Sequence, residues 1–170
     1  METLNWKQNG WTGRKYSISA PNGPIGKLDF KGWSSYDADF SSERINLTFR
    51  NKGWFQQEVT IRFNGEEVGN AETSAFGKTY INLVSGERYK LECKTFSSSR
   101  TLVDEQGNPV VRFDQGSFSG TKGTIALHSE VPELTKLLLV ATGLYFKTLA
   151  DSQTAVLIAV FMPIFLQMIR

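Results

Sequence analysis

Few residues in this chain are equipped for chemistry. There is one cysteine, Cys93, and one histidine, His128, so the Cys/His sets that hold structural or catalytic zinc cannot be assembled. A serine or cysteine nucleophile needs a base beside it, and the one imidazole lies in the strand-like run Thr124-Ile125-Ala126-Leu127-His128. Cys93 alternates with Tyr89 and Leu91 and reads as a small core residue. In Asp37-Ala38-Asp39-Phe40-Ser41-Ser42-Glu43 the carboxylates recur as they do in calcium loops. An EF-hand requires Gly at its sixth position and Glu at its twelfth, which here are Ser42 and Thr48, so a solvated turn is expected. The acid pairs Glu66-Glu67 and Asp104-Glu105 fall in turn-like sequence. The run Gly116-Ser117-Phe118-Ser119-Gly120-Thr121-Lys122-Gly123 has the composition of a phosphate loop but leads into a strand pattern rather than a helix N-terminus, which predicts a hairpin. The expectation is a non-enzymatic protein with no catalytic residues, no metal and no cofactor.

Two segments are better suited to contact than to catalysis. Trp6-Lys7-Gln8-Asn9-Gly10-Trp11-Thr12-Gly13-Arg14-Lys15 interleaves indoles with cations. That mixture suits a membrane interface, where Trp sits at headgroup level and Lys or Arg meet anionic lipid. It suits equally the first strand of a barrel covering an opening, and the structural reading is the preferred one. At the other end, Ser152 to Ile169 is an uncharged stretch of 18 residues, at the short edge of the roughly 17 to 25 that cross a bilayer, with Pro163 expected to kink it. The candidate membrane contacts are therefore Trp6, Lys7, Trp11, Arg14 and Lys15, with Val156, Leu157, Phe161 and Phe165 in the tail. With 19 Lys and Arg against 17 Asp and Glu, a net charge of +2 points to no nucleic-acid partner. The opening Met-Glu lacks the basic flank and apolar run of a secretory signal, so the cytoplasm is the expected compartment, with membrane association through the tail.

These segments sit in two regimes. Of the charged residues, 31 lie among the first 131 positions and only five in the last 39. The first regime alternates apolar and polar residues with the period of half-buried strands, as in Ile45, Leu47, Phe49; Val59, Ile61, Phe63; and Tyr89, Leu91, Cys93. Turn signals separate the runs: Asn22-Gly23, Asn51-Lys52-Gly53, Asn64-Gly65, Ser85-Gly86 and Gln106-Gly107-Asn108. Gly23, Gly65 and Gly107 stand 42 residues apart, each between two strand-like runs. Three such units are too few for a propeller, which needs at least four blades. Eleven or twelve strands are expected between Leu4 and His128, in an antiparallel meander.

The second regime opens at Pro132, suited to a first helical turn, with Glu133 where the helix dipole favours a negative charge. A helix over 132–149 is predicted. Lys136 and Lys147 fall close together on the wheel, beside Gly143, and apolar residues take most of the remaining circumference, so it should be buried nearly all round. Eleven or twelve strands can hide their edges by closing, and the resulting lumen then needs a filler. The expected fold is mainly β: a closed antiparallel barrel of about twelve strands around a hydrophobic helix, over 1–150. A second apolar helix follows in a tail, 151–170, that anchors in a membrane or packs.

The units Asn22-Gly23-Pro24-Ile25-Gly26, Asn64-Gly65-Glu66-Glu67-Val68-Gly69 and Asp104-Glu105-Gln106-Gly107-Asn108-Pro109-Val110, followed by Pro132-Glu133-Leu134-Thr135-Lys136-Leu137-Leu138-Leu139-Val140-Ala141-Thr142-Gly143-Leu144-Tyr145-Phe146, resemble the tubby-like superfamily of tubby domains, phospholipid scramblases and LURP-one-related proteins. The resemblance covers about residues 14 to 150. It implies a twelve-stranded barrel around a hydrophobic C-terminal helix and a lipid- or membrane-associated binding module with anionic phospholipid as partner; tubby domains bind phosphoinositide headgroups, and scramblases are linked to lipid movement and calcium. None of the superfamily's binding residues has a matching motif in this chain. The competing expectation is a soluble cytoplasmic scaffold in which the tail packs on the barrel or pairs two copies.

Overall fold

The computed structural model describes residues 2–32, 35–52, 57–74, 78–93, 98–116 and 119–168; the side chains of 57 and of 153–168 lie outside that description. Twelve strands precede one helix: β1 (Glu2–Asn9), β2 (Lys15–Ala20), β3 (Gly23–Phe30), β4 (Ala38–Ser42), β5 (Asn46–Lys52), β6 (Gln57–Phe63), β7 (Glu66–Thr73), β8 (Thr79–Leu83), β9 (Arg88–Cys93), β10 (Arg100–Val103), β11 (Pro109–Gly116), β12 (Ser119–Leu127) and α1 (Glu133–Met168). Each strand pairs antiparallel with its neighbours in sequence, and β1 closes the barrel against β12, with Leu4 opposite Ile125. The period of two holds: Leu4 and Trp6, Leu28 and Phe30, Leu47 and Phe49 point inward and are buried, while their neighbours face out.

This up-and-down order sorts the connections by end. The turns at 21–22, 43–45, 64–65, 84–87 and 104–108 lie at one mouth, where the helix enters. The strand ends on either side of 10–14, 31–37, 53–56, 74–78, 94–99 and 117–118 lie at the other, where the helix leaves. In the β6–β7 turn Asn64 and Gly65 both take positive φ, 48° and 92°, the requirement of a two-residue hairpin that matches sheet twist.

The 42-residue spacing is four strands of one barrel, not a propeller blade. Each of the three glycine hairpins is followed by a bulge. Ile18 pairs with Gly26 and Ser19 with Pro24, which leaves Ile25 as the extra residue. Ile61 pairs with Gly69 and Arg62 with Glu67, leaving Val68; Leu102 pairs with Val111 and Val103 with Pro109, leaving Val110. An extra residue bends its strand and sharpens the local twist, and here the bend recurs once in every four strands.

Every residue from 139 to 147 is buried. Consecutive helical positions step by ~100°, so such a run points in all directions and the helix must be enclosed on every side. Tyr145 stacks between Phe30 (5.4 Å between centroids) and Phe49 (4.6 Å), both nearly parallel to it. Gly143 allows the closest approach to the wall: a Cβ there would stand 2.3 Å from Phe113 Cζ.

Two expectations need correction. The helix does not end near 149 with a second one following; α1 runs unbroken from Glu133 to Met168. The Asp151-Ser152 step holds no breaker, because Asp151 pairs with Lys147 one turn back and the Ser152 hydroxyl donates to the Leu149 carbonyl at 2.7 Å. The backbone also stays helical across Pro163. Asp37–Glu43 is mostly strand rather than turn: β4 carries Asp39, whose carboxylate meets Lys31 at 2.6 Å and Arg50 at 3.0 Å. Partial burial raises the Asp39 pKa, but those two partners outweigh it and hold the carboxyl below its ordinary value.

Gly143→Ala should destabilise the barrel by about 1–3 kcal/mol, as overpacking does, even though alanine is the better helix former. Adding Phe113→Leu should return part of that loss; urea melts of the two single variants and the double variant measure it.

Candidate functional site

The exit mouth holds a recess of about 330 Å³ beside the departing helix, lined among others by Trp6, Arg14, Tyr16, Tyr36, Lys147 and Asp151. Its floor is a buried cation. The Lys147 side chain is 3% exposed, and Nζ lies 2.6 Å from Asp151 Oδ2 and 4.5 Å from the Trp6 ring centroid. Trp6 is fixed from behind, its Nε1 donating to the Asp114 carbonyl at 3.1 Å. The space comes from Gly123, where a Cβ would stand 1.8 Å from the Asp114 oxygen and 2.7 Å from Trp6 Nε1. Asp151 is shared: Arg100 Nη2 reaches its other oxygen at 3.5 Å. A buried ammonium tolerates its desolvation only with such a carboxylate and a ring face to replace water.

The rim is built from the β1–β2 and β3–β4 connections. Arg14 Nη2 donates to the Lys31 and Ser35 carbonyls while its guanidinium lies 5.4 Å from the Phe30 ring centroid, so this cation braces the two connections. The Tyr16 hydroxyl donates to the Gly13 carbonyl at 3.0 Å, and burial raises its pKa. The Tyr145 hydroxyl donates to the Tyr36 carbonyl at 2.7 Å, and burial pushes this phenol far above its usual range.

The residues nominated from sequence separate here. Trp6, 2% exposed, is an interior residue and offers no ring to an outer surface, because inward parity in β1 aims it over Lys147. Trp11 is 88% exposed in the β1–β2 connection. Lys7 faces outward from β1, Lys15 is exposed and pairs with Asp29 at 3.4 Å, and Arg14 is half-buried. Val156, Leu157, Phe161 and Phe165 have side chains outside the described set, on a stretch whose backbone is helical.

Sequence reasoning gave Lys122 only a place in a hairpin and no contact role, whereas register places it directly opposite Lys7. It passed over Arg100, whose Nη1 stands 2.5 Å from Cys93 Sγ. Cys93 itself is exposed rather than core, since β9 ends with it at the rim. His128, just past β12, lies at the entry mouth, so the strands separate it from Cys93 and those two form no dyad. Glu66-Glu67 and Asp104-Glu105 lie at the entry mouth too. Among the described residues, no group of three or more His, Cys, Asp or Glu converges as metal donors.

The mouths differ in charge. Entry-side connections carry Glu43, Glu87, Asp104, Glu105 and Glu130 against Arg44; the described exit-side ones carry Arg14, Lys31 and Lys78 against Asp37. At the entry an ionic collar holds the helix start: Lys136 Nζ meets Glu2 at 2.9 Å and Glu133 at 2.6 Å. Burial lowers the Lys136 pKa, but the two carboxylates outweigh it and the net shift is upward. Among the described residues no helix is long and apolar enough to cross a membrane.

Fold and site together define a closed up-and-down barrel with an axial helix and mouths of opposite character. Comparison with protein-family models, with curated proteins and with solved structures finds no match to this chain.

Asp151→Asn leaves Lys147 buried without its carboxylate and should cost on the order of 3 kcal/mol. Lys147→Met should cost less, because Asp151 keeps Arg100 and partial access to water; chemical denaturation of both variants tests this order. Tyr145 should stay protonated above pH ~10, where a free phenol ionises. With the folded pKa raised, its contribution to stability is complete below the unfolded value and lost as pH climbs toward the folded one. Phenolate absorbance of the folded protein should show a delayed tyrosine that Tyr145→Phe removes.

Proposed function

We propose that this chain is a non-enzymatic, membrane-associated binding module that works at a cytoplasmic lipid surface through its exit mouth and the helix extension leaving it. One observation carries the reading: α1 passes from the barrel axis into the uncharged sequence Ser152–Ile169 at the same mouth that bears exposed Trp11 and Tyr36 and the cations Arg14, Lys31 and Lys78. An uncharged run of this kind is a liability in water and an asset at a lipid interface. The barrel about an axial helix is also the architecture that the tubby-like and scramblase-like resemblance implies, which supports a lipid-facing role of that type.

Deleting residues 153–170 should leave a folded barrel, since it keeps every α1 side chain that is buried among the described residues, the last being Leu149, while binding to phospholipid vesicles falls at least tenfold in flotation assays. A truncated protein that aggregates, melts much earlier or changes oligomeric state would instead assign the extension to packing on the barrel or on a second copy.

A further inference from the structure

We propose that the outer wall beside the exit mouth, formed by Lys7 on β1 and Lys122 on β12 under exposed Trp11, is a contact face for an anionic phospholipid surface that seats the barrel with its exit mouth toward the bilayer. This rests on the membrane reading above and adds to it a face and an orientation.

Lys7 and Lys122 are direct cross-strand partners at the seam that closes the barrel, and both are exposed. Like charges placed so are destabilising, and neither lysine has an ion-pair partner among the described residues. Other like-charged opposites among the described residues have an opposite charge on a neighbouring strand or connection. Asp29 faces Asp39, yet Lys15 meets the first at 3.4 Å, and Lys31 and Arg50 meet the second at 2.6 and 3.0 Å. Glu58 faces Glu72 but has Lys52 opposite it on its other side. On its other side Lys7 has only Ser17. The lysine pair is thus a repulsion without an internal counter-charge, and an anionic surface would supply one.

A lipid surface fits better than a nucleic acid because Trp11, 88% exposed, stands in the connection that follows Lys7, and the uncharged extension of α1 departs from the same mouth. The acidic entry mouth would be repelled by that surface, which fixes the orientation.

The test uses the full chain with vesicles of phosphatidylcholine alone or with added phosphatidylserine. Each lysine near an anionic surface is worth about fivefold in partitioning. Lys7→Gln/Lys122→Gln should therefore lower binding to the anionic vesicles on the order of tenfold or more and reduce its salt dependence. Binding to the neutral vesicles should be unchanged, and the melting temperature should stay level or rise as the repulsion is removed. In a Cys93→Ser background, an environment-sensitive dye on Lys78→Cys should respond to anionic vesicles and the same dye on Glu105→Cys should not. Vesicle binding that ignores both lipid charge and the double substitution overturns this inference and leaves the membrane reading standing; no binding to either vesicle overturns both. A melting temperature that falls with the double substitution, a stronger dye response at 105 than at 78, or a lysine-dependent affinity for single-stranded nucleic acid in place of vesicles also overturns it.

Discussion

The lumen of a closed antiparallel sheet widens with each strand added, and at twelve strands the inward side chains no longer meet across the axis. Something must occupy that space for the inner faces to be buried at all. Here it is the first half of α1, and the rest of the structure is arranged around the fit: Tyr145 stacks between Phe30 and Phe49, Gly143 comes against Phe113, and the leucines fill what remains. A helix apolar on every side has no intrinsic preference for how deeply it sits. Its depth and rotation are set by the few groups that are not interchangeable. These are the glycine, the stacked tyrosine and the ionic contacts at the two ends, Lys136 with Glu2 and Lys147 with Asp151 and Trp6.

The polarity of the molecule follows from topology rather than from any local feature. In an up-and-down barrel successive connections alternate between the ends, so a chain that alternates short acidic turns with connections carrying cations and exposed aromatics collects each kind at its own mouth. The helix direction adds to this asymmetry. Entry near Glu133 and departure past Asp151 put the start of the uncharged sequence at the basic mouth.

Much of this was legible in the sequence because it depends on local pattern. The alternation around Leu47 and Phe49, the Asn64-Gly65 turn and the all-round hydrophobicity of 137–149 report structure directly. What misled was context. Asp39 looked like a turn residue because its cations lie elsewhere in the chain, Lys31 in the preceding connection and Arg50 on β5. Cys93 followed the inward parity of Tyr89 and Leu91 but falls where β9 runs out of barrel. The helix was expected to stop near a charged residue that in fact pairs within it. Trp6 and Trp11 belong to one aromatic-cationic stretch, yet strand parity buries the first and the connection exposes the second. The opposition of Lys7 and Lys122 depends on the register between the first and last strands, which no local window contains.

That seam also governs how the chain reaches its native state. Leu4 finds Ile125 only after every other strand has been made, and the helix that fills the lumen lies later still in the chain. Pairings so distant in sequence close slowly. Through all of synthesis up to the helix, the inner faces of the sheet have no filler and an unpaired edge remains at β1, the state in which β-rich chains associate wrongly. Closure and filling are therefore best viewed as one late event, with the sheet curling around a helix that has just emerged.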